Sequence, residues 1–209
     1  MTFNKATLVI IILIQFSILG STAIANGKLE RNQWALLSSA SQIKFTGKQM
    51  GVPTSGTFSS FDAKIIFDKN TLEESYVLIT LELESVKTAY AILADVLKSE
   101  AWFNVNLYPQ AIFESTDIKF QKDSENFEYI ASGILTLRGV KQLVEFNFNI
   151  LPTKDLDKNK KLNQAHVNGI LTVKRKSFGV GQGEWGDTSI VDNNVNIEID
   201  IIAEKHFTN

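Results

Sequence analysis

Acid–base chemistry in this chain would have to begin at a histidine, and the sequence holds two, His166 and His206. His166 falls on the polar phase of an alternating run, and His206 lies in the C-terminal tail. The chain has no cysteine, and no G-x-S-x-G serine elbow accompanies either imidazole. Both therefore read as solvated histidines rather than members of a triad. Glu82 and Glu84 would share one strand face, as paired carboxylates do. That face is the polar one, so they read as a solvated surface pair. Gly179-Val180-Gly181-Gln182-Gly183 suggests a phosphate loop, but it lacks the dinucleotide spacing, the Walker lysine and a following helical pattern. It reads instead as a bend after Lys176-Ser177-Phe178. Asp187 and Asp192 do not have calcium-loop spacing, and two histidines without cysteine make a poor transition-metal set. The basic residues are scattered with no aromatic stripe, and the formal charge is −2. Neither feature attracts nucleic acid or anionic lipid heads. The expectation is a protein without catalytic groups, metal or cofactor.

What remains is an apolar inventory that must be positioned by strands. Val77, Ile79, Leu81 and Leu83 alternate with polar or outward residues, as do Val144, Phe146, Phe148 and Ile150. Val195, Ile197, Ile199 and Ile201 repeat the pattern, and Ile43 and Phe45 begin it. Period-two alternation puts one face of each strand inward and the other in water, the signature of an antiparallel sheet. Further strands are expected over Thr57–Phe67 with a kink, Ala111–Phe120, Phe127–Leu137 and Ala165–Arg175. Asp68–Glu74, Gln121–Asn126 and Arg138-Gly139 read as turns, and Pro152–Gln164 reads as an exposed, mobile loop. The fold class is mainly β: about eight strands, joined mostly by hairpins, can close into one barrel. Two packed sheets fit the same periodicity.

Thr88–Asn104 departs from the pattern, with Ala89, Ile92, Leu93, Val96 and Leu97 at helical spacing. Ser99 is an expected N-cap for a second short turn holding Trp102 and Phe103, and Pro109 returns the chain to extended structure. This short helical segment would plug one end of the barrel. No repeat or linker marks a second domain. Ahead of the barrel, Lys5, the apolar run Ala6–Leu19 and the small-x-small site Ala23-Ile24-Ala25 form a secretory signal peptide over residues 1–25. The competing reading is a retained anchor, but Gly20, Ser21 and Thr22 break the run short of a span. Cleavage leaves 26–209 as one domain, exported by the secretion machinery. Among its aromatics Phe dominates, with 14 in the whole chain. Alternation alone favours a filled core, although a small barrel can equally be left hollow for one ligand.

Four stretches resemble a known family. Trp34, Ser41-x-Ile43-x-Phe45, Gly56-x-Phe58 and Phe67-Asp68 are similar to the opening of a YceI-like domain. Leu97-Lys98-Ser99-Glu100-Ala101-Trp102-Phe103, then Tyr108-Pro109-x-Ala111-x-Phe113-x-Ser115, resemble its middle. Gly133-x-Leu135-Thr136-Leu137-Arg138-Gly139-Val140 resembles its hairpin. Arg175-x-x-Phe178-Gly179-Val180-Gly181 with Trp185 and Val195-x-Ile197-x-Ile199 resembles its end. The resemblance implies a lipocalin-like periplasmic barrel that sequesters or carries a polyisoprenoid or isoprenoid-tailed lipid, such as a quinone precursor, without catalysis. It tips the interior from filled to hollow. A fatty acid or fatty amide in the same barrel, or a stress-response barrel without a defined ligand, are the alternatives. The implied wall is Phe45, Phe67, Ile79, Leu81, Phe113, Leu135, Leu137, Phe146 and Val173. Leu93, Leu97, Trp102 and Phe103 would close one end. Arg175 would meet a polar head or make a salt bridge at the rim. Pairing of two copies through exposed strands is also open.

Overall fold

Alternation becomes strands throughout the computed structural model, which describes residues 32–151 and 162–206. The expected leader over 1–25, the His206 side chain and most of the Pro152–Gln164 loop lie outside the described residues. The strands are β1 (Gln33–Leu36), β2 (Gln42–Gln49), β3 (Val52–Phe58), β4 (Phe61–Ile66), β5 (Tyr76–Glu82) and β6 (Val86–Thr88). After helix α1 (Ala91–Lys98) come β7 (Gln110–Phe120), β8 (Tyr129–Leu137), β9 (Val140–Leu151), β10 (Leu162–Lys174) and β11 (Asn194–His206). Eight of them form a ring in the order β1-β4-β5-β7-β8-β9-β10-β11, closed by β11 returning to β1 through Ala35↔Glu204 and Leu36↔Ala203. Among the described residues the fold is thus a closed eight-stranded antiparallel barrel with one short α-helix. Closure removes the sheet edges that two packed sheets would leave.

The other three strands continue members of the ring past local breaks. β2 prolongs β1 along the same partner, β11, while β3 and β6 prolong β4 and β5. At the first break the Ser41 hydroxyl replaces the missing ladder bonds. It accepts from the Ile202 N–H at 2.9 Å and donates to the Leu37 carbonyl at 2.8 Å. The expected kink within Thr57–Phe67 falls at Ser59-Ser60, where the Ser60 N–H donates to Ser85 Oγ at 3.1 Å. Serine hydroxyls at the breaks supply hydrogen bonds to backbone groups where pairing fails.

Two tight hairpins sit at the same end of the barrel. Arg138 and Gly139 have φ of 51° and 74° between the paired residues Leu137 and Val140. Met50 and Gly51 have φ of 49° and 79° between Gln49 and Val52. Positive φ at both central residues is what the two-residue turn of a twisted hairpin requires. α1 leaves the same end between β6 and β7. It is shorter than the sequence pattern implies, because Val86–Thr88 is claimed by pairing with Gly56–Phe58. Ser99 does not cap a second turn as expected: its hydroxyl donates back to the Val96 carbonyl at 2.7 Å. Lys98 and Glu84, 2.9 Å apart, tie the helix to the break between β5 and β6.

Candidate functional site

The inward phases of the strands meet in two zones. Toward the turns β4–β5 and β7–β8 the interior is filled by rings: Tyr129 stacks on Phe148 at 5.3 Å, and Phe67 meets Tyr129 edge-on at 5.6 Å. Toward α1 the interior opens into a cavity of about 440 Å³, within the range of sites that enclose a small organic ligand. Phe146 forms the boundary, lining the cavity while stacking on Phe148 at 5.4 Å. At the other extreme Ile92 both lines the cavity and is 76% exposed, so the mouth lies beside α1. Lys48, Gln49 and Thr54 of the β2–β3 hairpin complete that mouth.

Three wall phenylalanines show how a Phe-rich barrel stays hollow. A Cβ built on Gly56 would lie 2.4 Å from the Phe45 ring, one on Gly133 2.7 Å from Phe113, and one on Gly169 2.5 Å from Phe146. Each ring therefore lies over a glycine of the neighbouring strand rather than across the lumen. Glycine in a strand interior often marks such a close approach. The rings wall the cavity instead of occupying it.

The structure gathers most of the residues singled out above. Phe45, Ile79, Leu81, Phe113, Leu135, Leu137, Phe146 and Val173 line the cavity from the strands. Leu93 and Leu97 of α1, with Trp102 and Phe103 just after it, line it from the helix end. Phe67 does not: its alternation is correct, but it lies one level too deep, within the aromatic plug. Phe58, Leu171, Val191, Ile197 and Ile199 also line the cavity. Ile197 and Ile199 stand in the sequence on an inward phase. What alternation lacks is the height along the barrel at which packing stops.

Arg175 also lines the cavity, with its guanidinium committed to the fold. It is 2% exposed and points all five N–H groups at backbone carbonyls. Nε donates to Asp192 at 2.9 Å, Nη1 to Val180 and Gly181 at 3.0 and 3.1 Å, and Nη2 to Trp185 and Val191 at 2.8 and 2.6 Å. No donor is left for a head group, and no carboxylate forms an ion pair with it among the described residues. Burial draws its pKa below the ordinary guanidinium value. Gly181 (φ 76°) is held so close that a Cβ there would lie 2.2 Å from Nη1. The glycine-rich run is accordingly the fold of the loop around this cation. Arg138 works similarly, donating Nη1 to the carbonyls of Glu100, at 2.6 Å, and of Trp102. The Ala101 carbonyl accepts from the N–H groups of Gly181 and Gln182 at 2.9 and 2.8 Å. The segment that closes the barrel is thereby clasped from two sides.

His166, Glu82 and Glu84 stand outside the cavity. His166 is not simply solvated: its Nε2 lies 2.7 Å from Asp200 Oδ1 across β10 and β11, on the outward phase. Glu82 and Glu84 do not share a strand face, because β5 ends at Glu82. The first accepts from Gln110 Nε2 at 2.6 Å, and the second pairs with Lys98.

Comparison with known proteins places this barrel. A family model described as the YceI-like domain matches residues 34–203. The chain belongs to the YceI-like family. A UPF0312 protein of Photorhabdus laumondii is 35% identical over 96 residues, 46% of this chain and 48% of that one, so the chain spans about half the length of that relative. Among solved structures, BcnA of Burkholderia cenocepacia superposes with a TM-score of 0.71 at 29% identity, covering 80% of this chain and 98% of that one. A polyisoprenoid binding domain from Saccharophagus degradans, implicated in plant cell wall breakdown, gives 0.61 at 14% identity, covering 82% and 98%. At that identity the likeness is one of fold alone. The YceI-like barrel accounts for the four motifs: they supply its first break, its closing segment, its two-residue hairpin and its arginine-centred loop.

Proposed function

We propose that this chain is an exported, periplasmic binding or carrier protein that sequesters a long isoprenoid-tailed lipid in its barrel. The observation that carries the reading is the cavity itself, walled by hydrocarbon from strands and helix alike. Such a wall recognises a ligand by burial, at about 0.8 kcal/mol per methylene-sized group. A tail of about ten such groups gains a gross ~8 kcal/mol, the free energy of a micromolar Kd, before the costs of association. Longer tails have the surplus that a carrier needs. The polyisoprenoid named for the Saccharophagus domain has this chemistry. The leader pattern over 1–25 supports export. The location of the imidazole and carboxylate pairs on the outer wall supports binding rather than catalysis.

A ligand that binds only the native state raises its stability by mass action, about 2.7 kcal/mol at a hundredfold excess over Kd. For a domain of this size that corresponds to a Tm increase of roughly 5–11 °C. A long-chain prenol added to lipid-free protein is expected to give a shift of this order, read by differential scanning calorimetry. A fatty acid or fatty amide of matched length is expected to give less. A larger shift with the straight chain would reassign the ligand, and no shift with either would leave a barrel without a defined lipid.

A further inference from the structure

Met50 and Gly51 form the tip of the β2–β3 hairpin, and the residue held there at φ 49° is a methionine with 77% of its surface exposed. Asn, Asp or Gly holds that conformation at lower cost, and a side chain so exposed gains little from packing. Tyr90 breaks a second local rule. It is the N-cap of α1, where Ser, Thr, Asp or Asn would bond an unpaired helix N–H. Its side chain makes no cap hydrogen bond and is 72% exposed. Both residues stand at the rim of one opening. Met50 follows Lys48 and Gln49, Tyr90 precedes Ile92 by two positions, and those three residues line the cavity mouth. Val52 pairs with Gln49 on the returning strand and is 64% exposed. The Met50 N–H donates to the carbonyl of Ile190, another exposed residue, at 2.7 Å. Three separate segments thus frame the opening with exposed hydrocarbon. A local rule broken without an internal gain marks a functional site.

The opening indicates what covers this rim. An isoprenoid-tailed lipid resides in a bilayer, and a passage through water would expose its whole tail. A bilayer laid against the rim offers an unbroken apolar path instead. Tyr rings and snorkelling Lys stems suit the boundary between water and hydrocarbon, and Lys48 stands exposed at the mouth. The rim carries charges of both signs, Lys48 and Asp187, so its attraction rests on hydrocarbon. We propose that the mouth is a membrane-docking rim: Met50, Val52, Tyr90 and Ile92 dip into a bilayer surface, and the lipid passes between bilayer and barrel there. This rests on the cavity being a lipid site and adds the surface from which that site is loaded.

The test is the triple variant Met50→Asn, Val52→Thr, Tyr90→Ser, none of whose positions lines the cavity. Each new residue suits its backbone, Asn at positive φ, Thr in a strand and Ser at an N-cap, so stability in denaturant is expected to be no lower than that of wild type. Co-sedimentation with phosphatidylcholine vesicles is expected to fall at least tenfold. The initial rate at which lipid-free protein takes up a radiolabelled long-chain prenol from those vesicles is expected to fall with it. The prenol-induced rise in Tm without vesicles is expected to be unchanged. Wild-type vesicle binding is expected to persist at about 0.5 M salt, where exposed charges are screened. A triple variant that sediments and takes up prenol like wild type, or wild-type binding abolished by salt, would overturn the docking rim while leaving the lipid site standing. Self-association of wild type that the variant loses, without vesicle binding, would assign the rim to a second copy and overturn it equally. Absence of any prenol-induced Tm shift in wild type would remove the lipid site and the loading route with it.

Discussion

Replacing Arg175 with Met is expected to cost about 4 kcal/mol or more of folding stability, the largest effect of any single substitution considered for this barrel. Methionine fills much of the same space but offers none of the five hydrogen bonds to Val180, Gly181, Trp185, Val191 and Asp192. Each carbonyl left buried without a partner costs about 1–3 kcal/mol. The five costs are not additive, because a loosened loop readmits water to some of them. At this chain length the expected fall in Tm is roughly 8–16 °C. Arg175→Lys keeps the charge with three donors in place of five and is expected to recover no more than about half of the loss. Guanidinium chloride unfolding of the three proteins checks the order. A Met variant within about 1 kcal/mol of wild type would show that the loop from Val180 to Val191 is held by something else.

The second large effect is on binding and leaves folding nearly untouched. Leu135 and Ile197 both line the cavity, from β8 and β11. Replacing both with Trp places two indoles in the lumen. In a filled core each such enlargement costs typically 1–3 kcal/mol through strained rotamers and displaced backbone. In a hollow barrel the indoles enter open space, so the expected change in stability is below about 1.5 kcal/mol in total. Lipid affinity is expected to fall at least a hundredfold, about 2.7 kcal/mol, because the tail and the indoles compete for one volume. Loss of the prenol-induced Tm shift, with a stability from denaturant unfolding within about 1.5 kcal/mol of wild type, is the expected pair of results. A double variant that unfolds early and still binds lipid would reverse the account of the interior.

Much of the fold was legible in the sequence because alternation is a local property. Ile79 and Leu81, or Ile197 and Ile199, declare an inward phase within a few residues, and pairing then sets it. The closed ring was one of two outcomes compatible with that pattern. What decided it lies in the long-range register between Leu36 and Ala203, which no local window contains. The Met50-Gly51 turn went unread for a related reason: methionine is an unusual occupant of a positive-φ position, which Asn or Asp more often fills.

The site was legible in direction but not in depth. Phe67 and Phe146 have equivalent inward patterns, yet Phe67 fills the aromatic plug and Phe146 walls the cavity. The difference comes from how many rings converge at each height, a property of the closed barrel rather than of any strand. The hollow interior has a sequence trace that is visible only once partners are known. Gly56, Gly133 and Gly169 are the glycines over which Phe45, Phe113 and Phe146 lie, so these three wall rings each depend on a glycine one strand away. Arg175 was legible as a motif residue, but its partners were not. Here its planar fork of donors organises carbonyls of a loop that the sequence shows only as glycine-rich.

The central claim is that the barrel holds a long-chain lipid, and native mass spectrometry tests it most directly. Protein expressed with its leader, recovered from the periplasm of a bacterial host and kept free of detergent, would be weighed intact and then extracted with organic solvent. The account predicts a complex heavier than the polypeptide by one lipid, whose extract contains an isoprenoid-tailed molecule and whose adduct is lost in the Leu135→Trp, Ile197→Trp double variant. A bare polypeptide mass with an empty extract, or an adduct that survives in the double variant, would contradict it.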